Sequence, residues 1–177
     1  MSKVTVISSS LRNGSNSELM AKAFLEGARE KGNEIIYQSL KDFNLSFCKG
    51  CLACQKIGKC VIDDDMKKII QDIATSDYLV LATPVYYYGM AGQLKTFLDR
   101  LNPLYGKDIK LKGVYLLGAC ADDAEDAFDK TITSLSGWIE CFEGVEFKEA
   151  LLATNTNDAN SLSSELKMKS YELGKRI

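Results

Sequence analysis

The sequence contains no histidine among its 177 residues, and that absence removes more chemistry than any other single fact about it. Without imidazole there is no Ser-His-Asp or Cys-His nucleophile pair, no H-E-x-x-H zinc helix and no histidine acid–base step. Proline is scarce, at two residues, and tryptophan appears once. Positive charge is not in surplus either, since 22 Lys and Arg stand against 24 Asp and Glu. So balanced a chain has no basic stripe to neutralise a phosphate backbone, and nucleic acid is not an expected partner. No apolar run approaches the roughly 20 residues of a membrane-spanning helix, so no membrane partner is expected. Also missing are Gly-x-x-x-x-Gly-Lys-Ser/Thr and Gly-x-Gly-x-x-Gly, which argues against a P-loop nucleotidase and against a dinucleotide laid across the first turn. With no charged leader and apolar segment at the start, a cytoplasmic protein is expected, its six cysteines reduced thiols rather than a disulfide framework. A cofactor is expected to carry the chemistry.

What is present reads as one domain over residues 1–177, with strand and helix signals alternating and no internal linker. Val4–Ile7 is a short apolar β-run, and Leu19, Met20, Ala23, Phe24, Gly27 and Ala28 then recur at helical spacing up to a stop at Gly32. Glu34–Leu40 reads as a second strand. Acids at Asp63–Asp65 open a helix with Met66, Ile69, Ile70 and Ile73 on its buried stripe. Tyr78–Ala82 is continuously apolar, as a strand covered on both faces should be. Leu94, Phe97, Leu98 and Leu101 mark another helix, Val114–Gly118 a fourth strand, Ala127–Ile139 a long helix and Val145–Ala153 a fifth strand. A thinner apolar face near Leu162, Leu166 and Leu173 predicts a final helix. The pattern implies an α/β fold: a five-stranded parallel sheet, order 2-1-3-4-5, with helices on both faces. Such a sheet takes its ligand outside the carboxyl ends of strands 1, 3 and 4, where the strand order reverses.

Two stretches at those strand ends carry site chemistry. In Ser8-Ser9-Ser10-Leu11-Arg12-Asn13-Gly14-Ser15-Asn16-Ser17, a strand drops into a hydroxyl-rich loop that opens a helix. Unpaired N–H groups and the positive end of the helix dipole make that place an anion site. Ser10, Ser15, Asn16 and Ser17 add donors and Arg12 a fixed positive charge, which suits a terminal monophosphate. Plain helix capping is the competing use of such residues. After strand 3 come Pro84, Val85, Tyr86, Tyr87, Tyr88, Gly89 and Met90. Three successive tyrosines cannot all be buried in one strand, because neighbouring side chains point to opposite faces, but in a loop they can wall a planar ring. Small residues around Cys120 leave room for a flat group; packing or a subunit contact is the other use for the tyrosines.

Together these stretches resemble the NADPH-dependent FMN reductase family of the flavodoxin-like superfamily. Ser9 to Ser17 is similar to its Gly-Ser-x-Arg-x-x-Ser-Asn-Ser/Thr phosphate loop, with Ser9 where the family usually has Gly, and Thr83-Pro84-Val85-Tyr86 through Arg100 resembles its isoalloxazine loop and following helix. The likeness covers residues 3 to about 120 well and the remainder in outline. It implies that Ser10, Arg12, Ser15, Asn16 and Ser17 hold the FMN phosphate and that Pro84 to Met90, with Cys120 nearby, hold the ring. It further implies an NAD(P)H-dependent oxidoreductase that passes electrons to a quinone, flavin or other small acceptor, with no side chain as catalytic acid or base, and a homodimer or homotetramer.

The run Cys48-x2-Cys51-x2-Cys54-x5-Cys60 has compact spacing that suits a four-iron cluster better than structural zinc. It looks like the motif of the iron–sulfur flavoproteins in this family, and equally like that of members with FMN alone. The continuation Cys60-Val61-Ile62-Asp63-Asp64-Asp65-Met66 favours FMN alone, so no metal is assigned. Cys141 is expected in the core. The alternatives are an electron carrier using FMN plus a cluster on these four cysteines, and a non-catalytic flavin-binding redox regulatory module.

Overall fold

The structure is a computed structural model describing residues 1–177. Its elements run β1 (Lys3–Ser8), α1 (Asn16–Glu30), β2 (Glu34–Ser39), α2 (Ala53–Ile57), α3 (Met66–Ala74), β3 (Tyr78–Tyr86), β4 (Gly89–Met90), α4 (Gly92–Asp99), β5 (Gly113–Ala119), α5 (Asp129–Ile139), β6 (Glu146–Ala153) and α6 (Ser164–Lys175), with 3-10 turns at Leu40–Asp42 and Asn102–Leu104. Five strands form a parallel sheet in the order β2-β1-β3-β5-β6, the doubly wound order expected, with β5 and β6 in the fourth and fifth places.

The pleat explains why the strands are apolar throughout. Ile7, Leu79, Leu81, Val114 and Leu116 bury against one helical layer, together with Met66, Ile69 and Ile73 of α3, Leu94 and Phe97 of α4 and Leu135 of α5. Val4, Val6, Val80, Ala82 and Leu117 point the other way, onto Met20, Ala21 and Phe24 of α1 and Leu173 of α6. Alternate side chains thus enter two separate cores.

The fold departs from the expectation in four places. A sixth strand, β4, pairs antiparallel with the end of β3, setting Val85 opposite Met90 and Tyr86 opposite Gly89. The tyrosine segment is therefore a hairpin with Tyr87-Tyr88 at its tip. Both tip residues have positive φ, 51° and 63°, as this two-residue hairpin turn requires. The strand at the fifth place is interrupted, because the pairing shifts between Val114 and Tyr115 and leaves Lys148 bulged. Cys141 is exposed rather than in the core: it follows the end of α5 in a turn, off the stripe of Leu135 and Ile139. Finally, α6 holds its place by close backbone approach more than by an apolar stripe. A Cβ at Gly27 would meet the carbonyl oxygen of Tyr171 at 2.0 Å, and one at Gly174 would meet that of Phe24 at 2.1 Å.

Candidate functional site

A cleft opens at the carboxyl edge of the sheet, where β1, β3, β5 and β6 end side by side. It brings together Ser10, Arg12, Ser15, Asn16 and Ser17 with Pro84, Val85, Tyr86 and Cys120. Ala119, Ala121, Thr156 and Asn157 complete it. Tyr87, Tyr88, Gly89 and Met90, grouped with these by sequence, do not line it.

The first loop follows from its hydrogen bonds. Ser9 is fully buried, its N–H donates to the Ala82 carbonyl at 2.9 Å, and its hydroxyl reaches the same oxygen at 3.1 Å. Its backbone does not enter the left-handed region, so serine serves here without strain. The turn is made instead at Gly14, with φ of 66°, where a Cβ would meet the Asn160 side chain at 2.6 Å. Ser15 is the N-cap of α1, accepting from the Glu18 N–H at 3.2 Å. Capping and anion binding thus divide the loop between them.

Asn16 has another task. Its Nδ2 donates to the carbonyls of Thr156 at 3.0 Å and Asp158 at 2.8 Å and to Ser161 Oγ at 3.1 Å, and its Oδ1 accepts from Leu162 N–H at 2.9 Å. That side chain is fully committed to latching the loop after β6 onto the start of α1. What faces the cleft is a different set. Asn16 and Ser17 occupy the first helical turn, where N–H groups have no partner inside the helix. The Ser17 hydroxyl is buried with only a 3.5 Å contact to Ser15 Oγ. Ser10 Oγ accepts from the Arg12 N–H at 3.2 Å, and Arg12 Nη1 donates to the Asn157 carbonyl at 2.7 Å, leaving the exposed guanidinium at the rim.

The opposite wall is apolar and small: Pro84, Val85, Ala119, Cys120 and Ala121. Burial pushes the Cys120 thiol above its ordinary range, and its S–H donates to the Asp122 carbonyl at 3.1 Å. Such a thiol is no nucleophile. Beside it, the hairpin tip is clasped to the β5 loop. Tyr88 OH donates to Asp122 Oδ2 at 2.8 Å, Thr131 Oγ1 donates to the Tyr88 carbonyl at 3.2 Å, and Lys130 Nζ lies 4.7 Å from the ring centre. The Asp122 carboxyl is held low by hydrogen bonds from the Ala124 N–H and from Tyr88, while the phenol is raised by the same carboxylate. Tyr87 is fully exposed at the tip.

Thr156 and Asn157 escaped the sequence reading. The signal was there in Thr154-Asn155-Thr156-Asn157-Asp158, another polar loop directly after a strand at the same sheet edge.

The four-cysteine segment lies between β2 and α3 and is anchored by a buried ion pair. Arg100, just past α4, grips Asp64 with Nη1–Oδ2 at 2.6 Å and Nη2–Oδ1 at 2.8 Å, and Nη1 also reaches the Ser46 carbonyl at 2.6 Å. Both side chains are at most 2% exposed. Burial alone would raise the Asp64 carboxyl, but hydrogen bonds from Arg100 and from the N–H groups of Ser46 and Met66 hold it below the ordinary carboxylate range. All four thiols are free, and three of the sulfurs accept a hydrogen bond: Cys48 from the Gly50 N–H at 3.5 Å, Cys54 from Asn102 Nδ2 at 3.0 Å and Cys60 from Arg100 Nη2 at 3.5 Å. The side chains are not drawn together around a single metal position.

Comparison with known proteins places this architecture. The profile of the NADPH-dependent FMN reductase family matches residues 2–136. An iron–sulfur flavoprotein of Methanosarcina thermophila is 36% identical over 138 residues, covering 77% of this chain and 72% of that one. One from Methanocaldococcus jannaschii is 35% identical over 127 residues, covering 70% and 66%. The chain thus spans about two thirds to three quarters of the length of these relatives. In three dimensions, an NAD(P)H:quinone oxidoreductase from Methanothermobacter marburgensis superimposes with a TM-score of 0.80 at 15% identity, covering 99% of this chain and 95% of that one, a likeness of fold. The chain belongs to the NADPH-dependent FMN reductase family, flavodoxin-like oxidoreductases whose cofactor is FMN and whose reductant is NAD(P)H.

Proposed function

We propose that the cleft holds FMN, with its phosphate at the start of α1 and its ring between Pro84–Tyr86 and Ala119–Ala121, and that residues 1–177 act as one cytoplasmic NAD(P)H-dependent oxidoreductase unit. The observation that carries this is the pairing of a buried, nearly unpartnered Ser17 hydroxyl and two free helix N–H groups with a small apolar wall opposite. Phosphate fits the first set and a flat ring the second. When bound, FMN supplies the redox chemistry between nicotinamide and acceptor. The chain's own residues bind and orient. Arg12 offsets the phosphate charge at the rim, Ser10 and Ser17 direct hydroxyls inward, and the clasp between Tyr88 and Asp122 fixes the hairpin that borders the ring. Tyr87, Tyr88, Gly89 and Met90 then act at the mouth, on the nicotinamide or on a small acceptor such as a quinone, free flavin, nitro- or azo-compound. No helix is long and apolar enough to cross a membrane. Exposed Leu11, Phe47, Tyr86 and Tyr87 offer apolar surface for a homodimer or homotetramer. Anaerobic stopped-flow mixing tests the reading: NADPH or NADH bleaches the bound flavin within seconds. If dithionite bleaches it and neither nucleotide does within minutes, the reductase assignment fails.

A second reading is favoured by the sulfur contacts. Three of the four clustered cysteines already accept hydrogen bonds from fixed donors, as thiolate ligands do, and two relatives at 35–36% identity are iron–sulfur flavoproteins. Cys48, Cys51, Cys54 and Cys60 would then hold a cluster, and the protein would be a carrier between FMN and a one-electron partner. Iron and sulfide analysis after anaerobic purification decides it, since about four irons per chain mark a four-iron cluster.

A further inference from the structure

A second cavity, of about 480 Å³, shares the first loop with the cleft and is completed by the stretch after β2 and the start of α4. We propose that it takes the adenosine half of NAD(P)H, with the base against Phe43 and Phe47, while the nicotinamide half reaches into the cleft; this rests on the reductase reading above.

The two cavities adjoin at both edges. Leu11 lines the groove, and its neighbours Ser10 and Arg12 line the cleft. At the other edge Gly92 lines the groove, and Ala91 before it donates its N–H to the carbonyl of Pro84, a cleft residue, at 3.2 Å. A ligand anchored in the cleft can therefore leave it toward the groove, or toward the segment after β5, which carries Asp122, Asp123, Glu125 and Asp126. Charge decides between them. A dinucleotide bears two phosphates, which the acidic segment repels. The groove has no carboxylate among its lining residues. Its Lys41 shares Glu18 with Lys22, at 3.3 and 3.0 Å, so positive charge is in excess on that side. No hydrogen bond within the chain takes the N–H groups of Gly92 and Gln93, and Ala91 in the N-cap place has no side chain to offer them. The apolar part of the groove suits the base. Phe43 packs partly buried against the core, whereas Phe47 is 78% exposed and leaves its ring open to stacking. The volume falls within the range of small-molecule sites.

The test uses the full chain loaded with FMN. Binding of AMP is measured by calorimetry, and flavin reduction by NADH is compared with reduction by reduced nicotinamide mononucleotide, which lacks the adenosine half. Two variants leave the cleft lining alone. Phe47→Ala removes an exposed ring, and Gly92→Asp sets a carboxylate at the start of α4, where its Cβ meets open space and the helix dipole accepts the charge. Both should keep the FMN spectrum and the melting temperature. The proposal expects AMP to bind the wild-type chain, to compete with NADH, and to bind each variant more weakly. Phe47→Ala should lower kcat/KM for NADH about tenfold, the worth of one base–aromatic stack, and leave the mononucleotide unchanged. A second copy seated on Leu11 and Phe47 would cover the groove, so absence of AMP binding would overturn the proposal. AMP bound equally by both variants, or equal losses for the two reductants, would overturn it as well. The reductase reading survives all three results and falls only where dithionite bleaches the flavin and neither reductant does.

Discussion

At the scale of single residues, neighbours in the first loop do different jobs, and the differences are measurable. Ser17→Ala removes a buried hydroxyl facing the cleft and Arg12→Ala removes the rim charge, so each should weaken FMN by about 1.5–3 kcal/mol while leaving riboflavin binding nearly unchanged. Equal losses for the two ligands, measured by fluorescence titration, would remove the phosphate from this loop. Asn16→Ala behaves otherwise. It strands the partners of four hydrogen bonds, so the cost of about 1–3 kcal/mol appears in thermal unfolding of the protein without ligand. The Arg100–Asp64 pair gives a pH signature. Because the folded carboxyl is held below its ordinary value of 3.8, its stabilisation is complete above that pH and is lost as the pH falls through the folded value. Asp64→Asn should flatten this acid limb in urea titrations while lowering stability at neutral pH. That Ser10, Arg12 and Ser17 share one cleft was legible because the hydroxyl-rich loop runs straight from the end of β1 to the start of α1. The latching of Asn16 was not, since its partners lie some 140 positions away and no local pattern names them.

At the scale of elements, the hairpin and the α1–α6 contact are the places where local rules are overridden. Tyrosine in the left-handed region is strained by roughly 1–2 kcal/mol per residue, yet two adjoin at the tip. Tyr87 has no packing to lose, so Tyr87→Gly should raise the melting temperature while it lowers turnover with planar acceptors. A variant that is more stable and fully active would deny the side chain a role at the mouth. Gly27→Ala or Gly174→Ala drives a methyl into a carbonyl of the facing helix and should cost about 1–3 kcal/mol, seen as a lower urea midpoint. The central strands and α1, α3 and α4 were legible from periodicity, because their apolar faces meet one core each. The face of α6 looked thin because its contact runs through Gly174 and the buried Ser170, which a hydrophobic pattern does not register. The hairpin was hidden for the opposite reason, since Tyr-Tyr carries none of the Asn-Gly chemistry that marks such turns.

At the scale of the whole molecule, the cleft lies at one edge of the sheet with the exposed Tyr86 in its wall. Sedimentation at micromolar concentration should show a dimer or tetramer, and a fully active monomer there would remove the assembly from the proposal. If nicotinamide and acceptor share the mouth of this cleft, as proposed, they take turns there. Steady-state kinetics should give parallel double-reciprocal lines. The strand order and the location of the cleft were readable because alternating β and α signals leave few topologies for a parallel sheet. The lining from the loop after β6 was missed although its polar run directly follows a strand at the same sheet edge.

The Asn16 latch has a consequence for the order in which the living protein becomes functional. The loop proposed to receive the phosphate is made first on the ribosome, yet the segment that fastens it, residues 156–162, emerges some 140 residues later. On that proposal cofactor capture should be a late event of synthesis, and a nascent chain stalled after β6 should release FMN that the finished chain retains. The same dependence runs backwards, because coupling between two sites is reciprocal. Saturating FMN should slow protease cutting between 156 and 162, because a chain with this latch open holds FMN less tightly.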